Sequence, residues 1–185
     1  MEKSINRKLL YCSFGIYAFL LVWIIALKFN ADWLSEVGEY LRKMPLQDRV
    51  GKNIIPFYKM FKEGISFNKD YFYNVVIYIP LGIYLPLLLK NKPKYITYII
   101  IIATSSIIFE LIQLVTGFGG YDGSDIVCNA NGGIIGLILY YFLISKWPNK
   151  VINIINIIAI IVFAPVAVYA LINTILNIHL YYIPL

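Results

Sequence analysis

Four long stretches of the sequence contain no Lys, Arg, Asp or Glu, and this feature restricts the fold more than any other. The uncharged stretches cover residues 9–27, 71–89, 126–145 and 151–185. A fifth apolar stretch, 95–116, carries Glu110 as its only charged residue. A helix of roughly 20 residues crosses the ~30 Å hydrocarbon core of a bilayer. Each of the five stretches is therefore long enough to span a membrane.

The overall composition agrees with a membrane protein rather than a water-soluble domain. Of the 185 residues, 60% are hydrophobic and only 14% are charged, whereas charged residues make up about 25% of an average soluble domain. We therefore predict an all-α, polytopic integral membrane protein that forms a single membrane domain over residues 1–185. The five predicted transmembrane helices are 9–28, 72–89, 95–116, 125–145 and 151–176.

The distribution of basic residues predicts the orientation, because Lys and Arg concentrate in the cytoplasmic loops of membrane proteins. Here they cluster before the first predicted helix, between the second and third, and between the fourth and fifth. The connection 117–124 contains none. We predict a multi-pass protein of the cell membrane with a cytoplasmic N-terminus and an extracellular C-terminus. The segment 28–70 fits this orientation less well, because eight basic residues accompany its six acidic ones.

The predicted extracellular connection, residues 29–71, has an amphipathic pattern in its first part. Apolar residues recur there at helical spacing with charged residues between them, which is typical of a helix in the membrane interface. The apolar positions are Trp33, Leu34, Val37, Leu41 and Met44. We predict an interfacial helix in this segment. An ordinary, partly ordered loop is the alternative.

Polar side chains within the predicted third and fourth helices are the main functional signal. A carboxylate at the depth of Glu110 costs about 2.5–3.5 kcal/mol unless it is paired or hydrated. Glu110 and Gln113 share one helix face, as do Asp125 and Asn129, because three or four residues make about one helical turn. The short connection makes the two helices antiparallel neighbours, so these groups are expected to meet. The candidate ligand-binding residues are Asn74, Glu110, Gln113, Asp122, Asp125 and Asn129.

Three glycines follow this polar group in the fourth predicted helix: Gly132, Gly133 and Gly136. Small residues allow membrane helices to approach closely, so we expect tight helix packing next to the polar group. One interpretation of the polar group is a pocket that opens toward the outer face. The other is a set of hydrogen bonds that only holds the helices together.

The sequence contains no recognisable catalytic or metal-binding pattern. The single histidine, His179, belongs to no Ser/His or Cys/His arrangement of a nucleophilic enzyme. The cysteines show no zinc-site spacing, and no glycine-rich phosphate loop is present. Glu110, Asp122 and Asp125 are ligand types that Mg²⁺ accepts, but the short sequence "DGSD" is too common to predict a site. We expect no metal and no cofactor, and the pattern assigns no catalytic residue.

Four short motifs occur in an order that resembles the VanZ-like membrane family. They are "NIIPF" (53–57), "NVVIYIPLGIYLP" (74–86), "FELIQ" (109–113) and "YDGSDIVCNANGGIIG" (121–136). The positions that match are Asn53, Pro56, Phe57, Asn74, Pro80, Gly82, Leu85, Pro86, Glu110, Gln113, Asp122, Asp125, Asn129 and Gly133. Family members often carry an arginine shortly before the first aspartate, where this chain has Gly119 and its neighbours. Without that arginine, a loop lysine or protonation would have to balance the acids.

The resemblance implies resistance to lipoglycopeptide antibiotics such as teicoplanin, without modification of their peptidoglycan target. An outward-facing polar pocket suits this role, because glycopeptides act outside the membrane. We expect a protein that binds or shields, with membrane lipid and a lipoglycopeptide or cell-wall lipid as partners, and no nucleic acid. The alternative is a metal-assisted or acid/base enzyme that acts on a lipid-linked cell-wall precursor through Glu110 and Asp125. A small transporter is a weaker third hypothesis, because no internal repeat is visible.

Overall fold

The computed structural model describes residues 4–25, 39–50, 54–64, 69–89 and 93–177. Within these ranges the chain forms eight α-helices and a short 3-10 helix, and no strand. The α-helices are α1 (Arg7–Ile25), α2 (Glu39–Lys43), α3 (Leu46–Val50), α4 (Tyr58–Glu63), α5 (Lys69–Leu88), α6 (Tyr95–Thr116), α7 (Gly123–Phe142) and α8 (Asn149–Leu176). The 3-10 helix, Ile144–Lys146, follows α7.

Five of these helices, α1 and α5 to α8, are long and apolar enough to cross a membrane. The prediction of an all-α, multi-pass membrane protein is therefore confirmed, and the lipid-facing sides of these helices make lipid a direct partner. Large apolar side chains cover those sides, and only a small part of α8 is buried against the other helices. The extent of the single domain and the orientation of the termini stay predictions.

The long connection between the first two spans is partly helical where the structure describes it. Three short helices, α2 to α4, occupy this connection, and Leu41 in α2 is partly buried. Met44, which follows α2, is also partly buried, whereas the first part of the predicted amphipathic segment, including Trp33, Leu34 and Val37, lies outside the described residues. The same holds for residues 26–28 of the first predicted span and for Asn53 of the first family motif.

The centre of the bundle is the contact between α5 and α7, which form the most extensive helix pair. Successive spans alternate in direction, so α5 and α7 run parallel, with α6 returning between them in the chain. Glycines allow the two backbones to touch: a Cβ atom added to Gly132 would overlap the Val75 carbonyl, and one added to Gly136 would overlap that of Ile79. A Cβ atom on Gly82 would overlap the Gly133 carbonyl. The predicted close approach is confirmed.

Helix α6 packs against α7 as the antiparallel neighbour that the short connection predicts. Gly133 leaves room for Ile102, whose side chain would lie 2.5 Å from an added Cβ atom. Ile102, Tyr78 and Tyr98 are completely buried in the apolar core that these helices share. The rotation of α6 that places Ile102 in the core also turns Glu110 inward, because the two residues are eight positions apart on one face.

Helix α1 attaches to the central pair through hydrogen bonds to α5. The Tyr17 hydroxyl donates to the Ile77 carbonyl at 2.9 Å, close to Pro80, which has no N–H to donate within the helix. At the other end of α5, Arg7 donates to the Leu87 carbonyl at 2.7 Å. A cation that bonds the last carbonyls of a helix also stabilises the negative end of its dipole.

Candidate functional site

Glu110 is completely buried in α6, although it is the single charged residue of that span. Its Oε2 atom accepts a hydrogen bond from the backbone N–H of Asp122 at 2.9 Å. Ser106, one turn earlier on the same face, is also completely buried. Glu110 therefore ties the end of α6 to the residue that precedes α7, and it brings a carboxyl group into the interior of the bundle.

Asp122 holds the start of α7 as its N-cap. Its Oδ1 atom accepts a hydrogen bond from the Ser124 backbone N–H at 2.8 Å, which satisfies one of the free N–H groups of the first helical turn. The buried Ser124 hydroxyl in turn accepts a hydrogen bond from the Phe57 backbone N–H at 2.9 Å. The "NIIPF" and "YDGSD" motifs, more than sixty residues apart in the chain, thus meet at this point.

Asn129 extends the cluster deeper into the bundle. It is completely buried, and its Nδ2 atom donates to the Ser106 hydroxyl at 2.9 Å. Its Oδ1 atom is buried without a hydrogen-bond partner among the described residues. The neighbouring Ser105 hydroxyl lies 3.4 Å from the hydroxyl of the buried Tyr78. These residues form one polar cluster. Its deeper part consists of Asn129, Ser106 and Tyr78, and the part nearer the ends of α6 and α7 consists of Glu110 and Asp122.

The open side of the cluster is formed by partly exposed side chains. Tyr71 interacts with Ser124 and lies in the electrostatic field of the Asp122 and Asp125 carboxylates. Its ring packs edge-on against Phe57, with centroids 5.4 Å apart. Asn74 lies on the same face of α5, one turn after Tyr71 and one turn before Tyr78. Tyr71, Asn74, Asp122 and Asp125 are each only partly buried, so this side of the cluster is partly exposed.

Gln113 is the predicted site residue that points elsewhere. It is completely buried, but its Nε2 atom donates to the carbonyl of Ile25, the last residue of α1, at 2.9 Å. Five of the six predicted residues thus lie around one cluster: Glu110, Asp122 and Asn129 through hydrogen bonds, and Asp125 and Asn74 on its partly exposed side. Gln113 instead fixes the end of α1 against α6.

Arg49 also belongs to this region, although none of the sequence motifs contains it. Its guanidinium donates to the carbonyls of Leu114 and Val115 at 3.0 and 3.3 Å. It also donates to the carbonyls of Met44 and Arg42, at 3.2 and 2.9 Å. Arg49 therefore caps the C-terminus of α6 and holds α2 and α3 against it.

Arg42 lies against the same turn, with its guanidinium 5.9 Å from the centre of the Phe118 ring. A Cβ atom on Gly117, whose φ of 69° favours glycine, would lie 2.6 Å from the Arg42 side chain. The basic residues that this chain brings to the turn before Asp122 are thus arginines of the long connection. The signal in the sequence was the number of basic residues in segment 28–70, which makes it fit the predicted orientation less well.

The cluster offers carboxyl, amide and hydroxyl groups in a setting of low polarity, where hydrogen bonds and charges interact more strongly than in water. Such groups can bind a polar group of a ligand whose apolar part remains in the membrane. Among the described residues, no group of three or more His, Cys, Asp or Glu side chains is arranged to hold a metal ion.

The comparisons with known proteins agree with the motif positions. The VanZ/LLP1 family model matches residues 14–145. Protein VanZ from Enterococcus faecium is 30% identical over 145 residues, which cover 76% of this chain and 76% of that protein. No solved structure matches this chain. The matched range contains every residue of the polar cluster and ends before α8.

Proposed function

This chain belongs to the VanZ/LLP1 family, and from that premise we propose that it protects the cell envelope against lipoglycopeptide antibiotics such as teicoplanin. The proposed action is binding or shielding: the polar cluster engages the polar part of a lipid-like ligand, and the acyl chain of that ligand lies among the lipid-facing helices. The ligand is the antibiotic itself or a cell-wall lipid.

The observation that carries this proposal is the buried Glu110 beside a partly open row of polar residues. Holding the bundle together does not require a carboxyl group, because amides and hydroxyls form interhelical hydrogen bonds at lower cost. Two more acids, Asp122 and Asp125, lie at the start of α7, and both are only partly buried. A concentration of acids on the partly exposed side of a polar cluster is typical of a binding site.

The proposal requires the partly exposed side of the cluster to face outward, since glycopeptides act outside the membrane. We propose a cytoplasmic N-terminus, which places the 117–122 turn outside. Labelling of single cysteines tests this orientation after Cys12 and Cys128 have been replaced by serine. A cysteine introduced at Tyr121 should react with an impermeant reagent in intact cells, and one introduced at Lys150 should react only after lysis. The opposite pattern would contradict the proposed access of the ligand.

The decisive experiment replaces the acids by amides of nearly the same shape. We expect Glu110→Gln and Asp125→Asn each to reduce protection against teicoplanin to the level of cells that lack the protein. The minimal inhibitory concentration measures the effect, and the amount of folded protein in the membrane is measured in parallel. Asp48→Asn is the matched control, since it removes the same charge from an exposed position in α3 and should retain protection.

Three outcomes would contradict the proposal. Wild-type protection in both amide variants would mean that the carboxyl groups only hold the helices together, in which case Glu110→Leu alone should lower the yield of folded protein. Equal protection against a glycopeptide without an acyl chain would contradict the role of the membrane-embedded part of the ligand. Turnover of lipid pyrophosphates by the purified protein would favour an enzyme instead.

A further inference from the structure

A second candidate binding site lies at the end of the bundle opposite to the polar cluster. A cavity of about 600 Å³ opens there between the start of α6 and the end of α7. Its walls are formed by Pro93, Lys94, Tyr95, Ile96 and Tyr141. Lys94 is the N-cap of α6 and Tyr95 its first residue, while Tyr141 precedes the last residue of α7. The cavity therefore lies where two spans end, at the boundary between membrane and water.

The walls of this cavity combine an amine with two phenol groups. Lys94 is exposed, and the rings of Tyr95 and Tyr141 meet edge to face with their centroids 4.8 Å apart. The Tyr140 ring also packs edge to face against Tyr141, with their centroids 5.0 Å apart. This contact fixes the position of the Tyr141 ring. Tyrosine suits the membrane boundary, because its ring lies among lipid and its hydroxyl reaches the polar headgroups.

The acidic residues that the structure describes lie toward one end of the bundle, whereas basic residues occur at both ends. None of the described residues in 4–25, 71–89, 93–109 and 126–177 is acidic, so the acids of the described chain lie toward the other end. Among the described residues, the basic side chains at the cavity end are those of Arg7, Lys8, Lys94, Lys146 and Lys150. A surface that carries an excess of positive charge attracts the anionic lipids of a membrane leaflet.

We propose that this cavity binds the headgroup of an anionic phospholipid. The Lys94 ammonium group and the hydroxyls of Tyr95 and Tyr141 contact the phosphate, as charge-assisted hydrogen bonds are the strong ones. The acyl chains lie on the exposed Ile96 and Ile100, which are one turn apart on the side of α6 that runs from the cavity into the membrane. The site is independent of the polar cluster and of protection against antibiotics.

The test uses the full chain purified in detergent and reconstituted into nanodiscs of phosphatidylcholine with or without phosphatidylglycerol. Native mass spectrometry counts the lipids that remain bound after gentle release. We expect one phosphatidylglycerol to be retained in preference to phosphatidylcholine. Lys94→Gln together with Tyr141→Phe should weaken this retention at least tenfold, which corresponds to about 1.4 kcal/mol, because the double variant removes both the ammonium charge and one hydroxyl donor.

Lys150→Gln is the matched control, because it removes one positive charge from the same end of the bundle without lining the cavity. Retention of phosphatidylglycerol by this variant at the wild-type level supports the site. An equal loss in Lys150→Gln would show attraction to the basic end as a whole and would overturn the proposal. Equal retention of the two lipids by the wild-type protein would overturn it as well. Thermal melting of each variant shows whether the bundle is intact.

Discussion

Two parallel helix pairs in this protein are held together by different means. In the α5/α7 pair, Gly82, Gly132 and Gly136 bring backbone against backbone, and no room remains for even one added carbon atom. In the α1/α8 pair, side chains form the contact. Ser13 donates to Asn156 at 2.8 Å, and Trp23 donates to Thr174 at 2.8 Å. A third contact joins the Asn6 backbone N–H to Asn153 at 2.8 Å.

The difference has a physical reason and a functional consequence. Lipid gives helices no hydrophobic drive to associate, so they rely on close packing or on hydrogen bonds. Close packing over several turns sets the position of both helices at once, whereas a hydrogen bond fixes one point. Gly132 lies three residues after Asn129, and its partner Val75 follows Asn74. The α5/α7 contact therefore positions the polar cluster, whereas the α1/α8 pair contributes none of its residues.

The largest loss of stability is expected when a methyl group is inserted into the contact between α5 and α7. Gly82→Ala places a Cβ atom against the backbone of α7, 2.8 Å from the Leu137 nitrogen and closer still to the Gly133 carbonyl. Overpacking of a filled interior costs about 1–3 kcal/mol, and backbone atoms cannot move aside as a side chain can. We expect a large loss of folded protein, measured as monodisperse yield and melting temperature in detergent.

Gly15→Ala is the control for this prediction. It adds the same methyl group to α1 at a position where nothing lies within 4 Å, and alanine has the higher helix propensity. Its yield should equal or exceed that of the wild type. Equal tolerance of both substitutions would show that the α5/α7 contact is looser than described and would remove the difference between the two pairs.

An intermediate effect is expected at the end of α6, which depends on an arginine cap. Arg49→Gln removes the cationic group that donates to Leu114 and Val115. A favourable cap of this kind contributes about 0.3–2 kcal/mol. We expect a moderate fall in melting temperature together with reduced protection against teicoplanin, because the turn before Asp122 loses its support.

Arg7→Gln separates the effect on melting temperature from the effect on protection, since Arg7 caps α5 at the end that is distant from the cluster. It should lower the melting temperature and retain protection at equal protein level. Loss of protection in Arg7→Gln to the same degree as in Arg49→Gln would mean that protection follows overall stability rather than the geometry of the cluster.

The smallest expected effect concerns the α1/α8 pair. Ser13→Ala removes the hydrogen bond to Asn156 in a site where both residues are almost completely buried. Interhelical hydrogen bonds in membrane proteins average about 0.6 kcal/mol. A double-mutant cycle with Asn156→Ala should give a coupling energy of this size, measured by unfolding in detergent. A coupling energy near zero would show that apolar packing, and not hydrogen bonding, joins this pair.

The sequence by itself determined the class of fold and most of the candidate site. Charge-free stretches of span length must become helices, because only a helix or a closed barrel satisfies its backbone hydrogen bonds in lipid. Glu110 had to face inward, because a carboxyl group that faces lipid is costly. The short turn after α6 brought Asp122 within its reach. Helical spacing then added Asn129 to the group, so these residues followed from local rules.

Only the tertiary structure decided which partners the polar groups have. Gln113 shares a face with Glu110, yet it bonds the end of α1, because the rotation of α6 between two neighbours is set by packing and not by spacing. Arg49 reaches the end of α6 from a segment 65 residues earlier, a contact without periodicity in the sequence. The parallel α5/α7 contact likewise depends on glycines of two distant segments meeting, which a pattern within either segment does not specify.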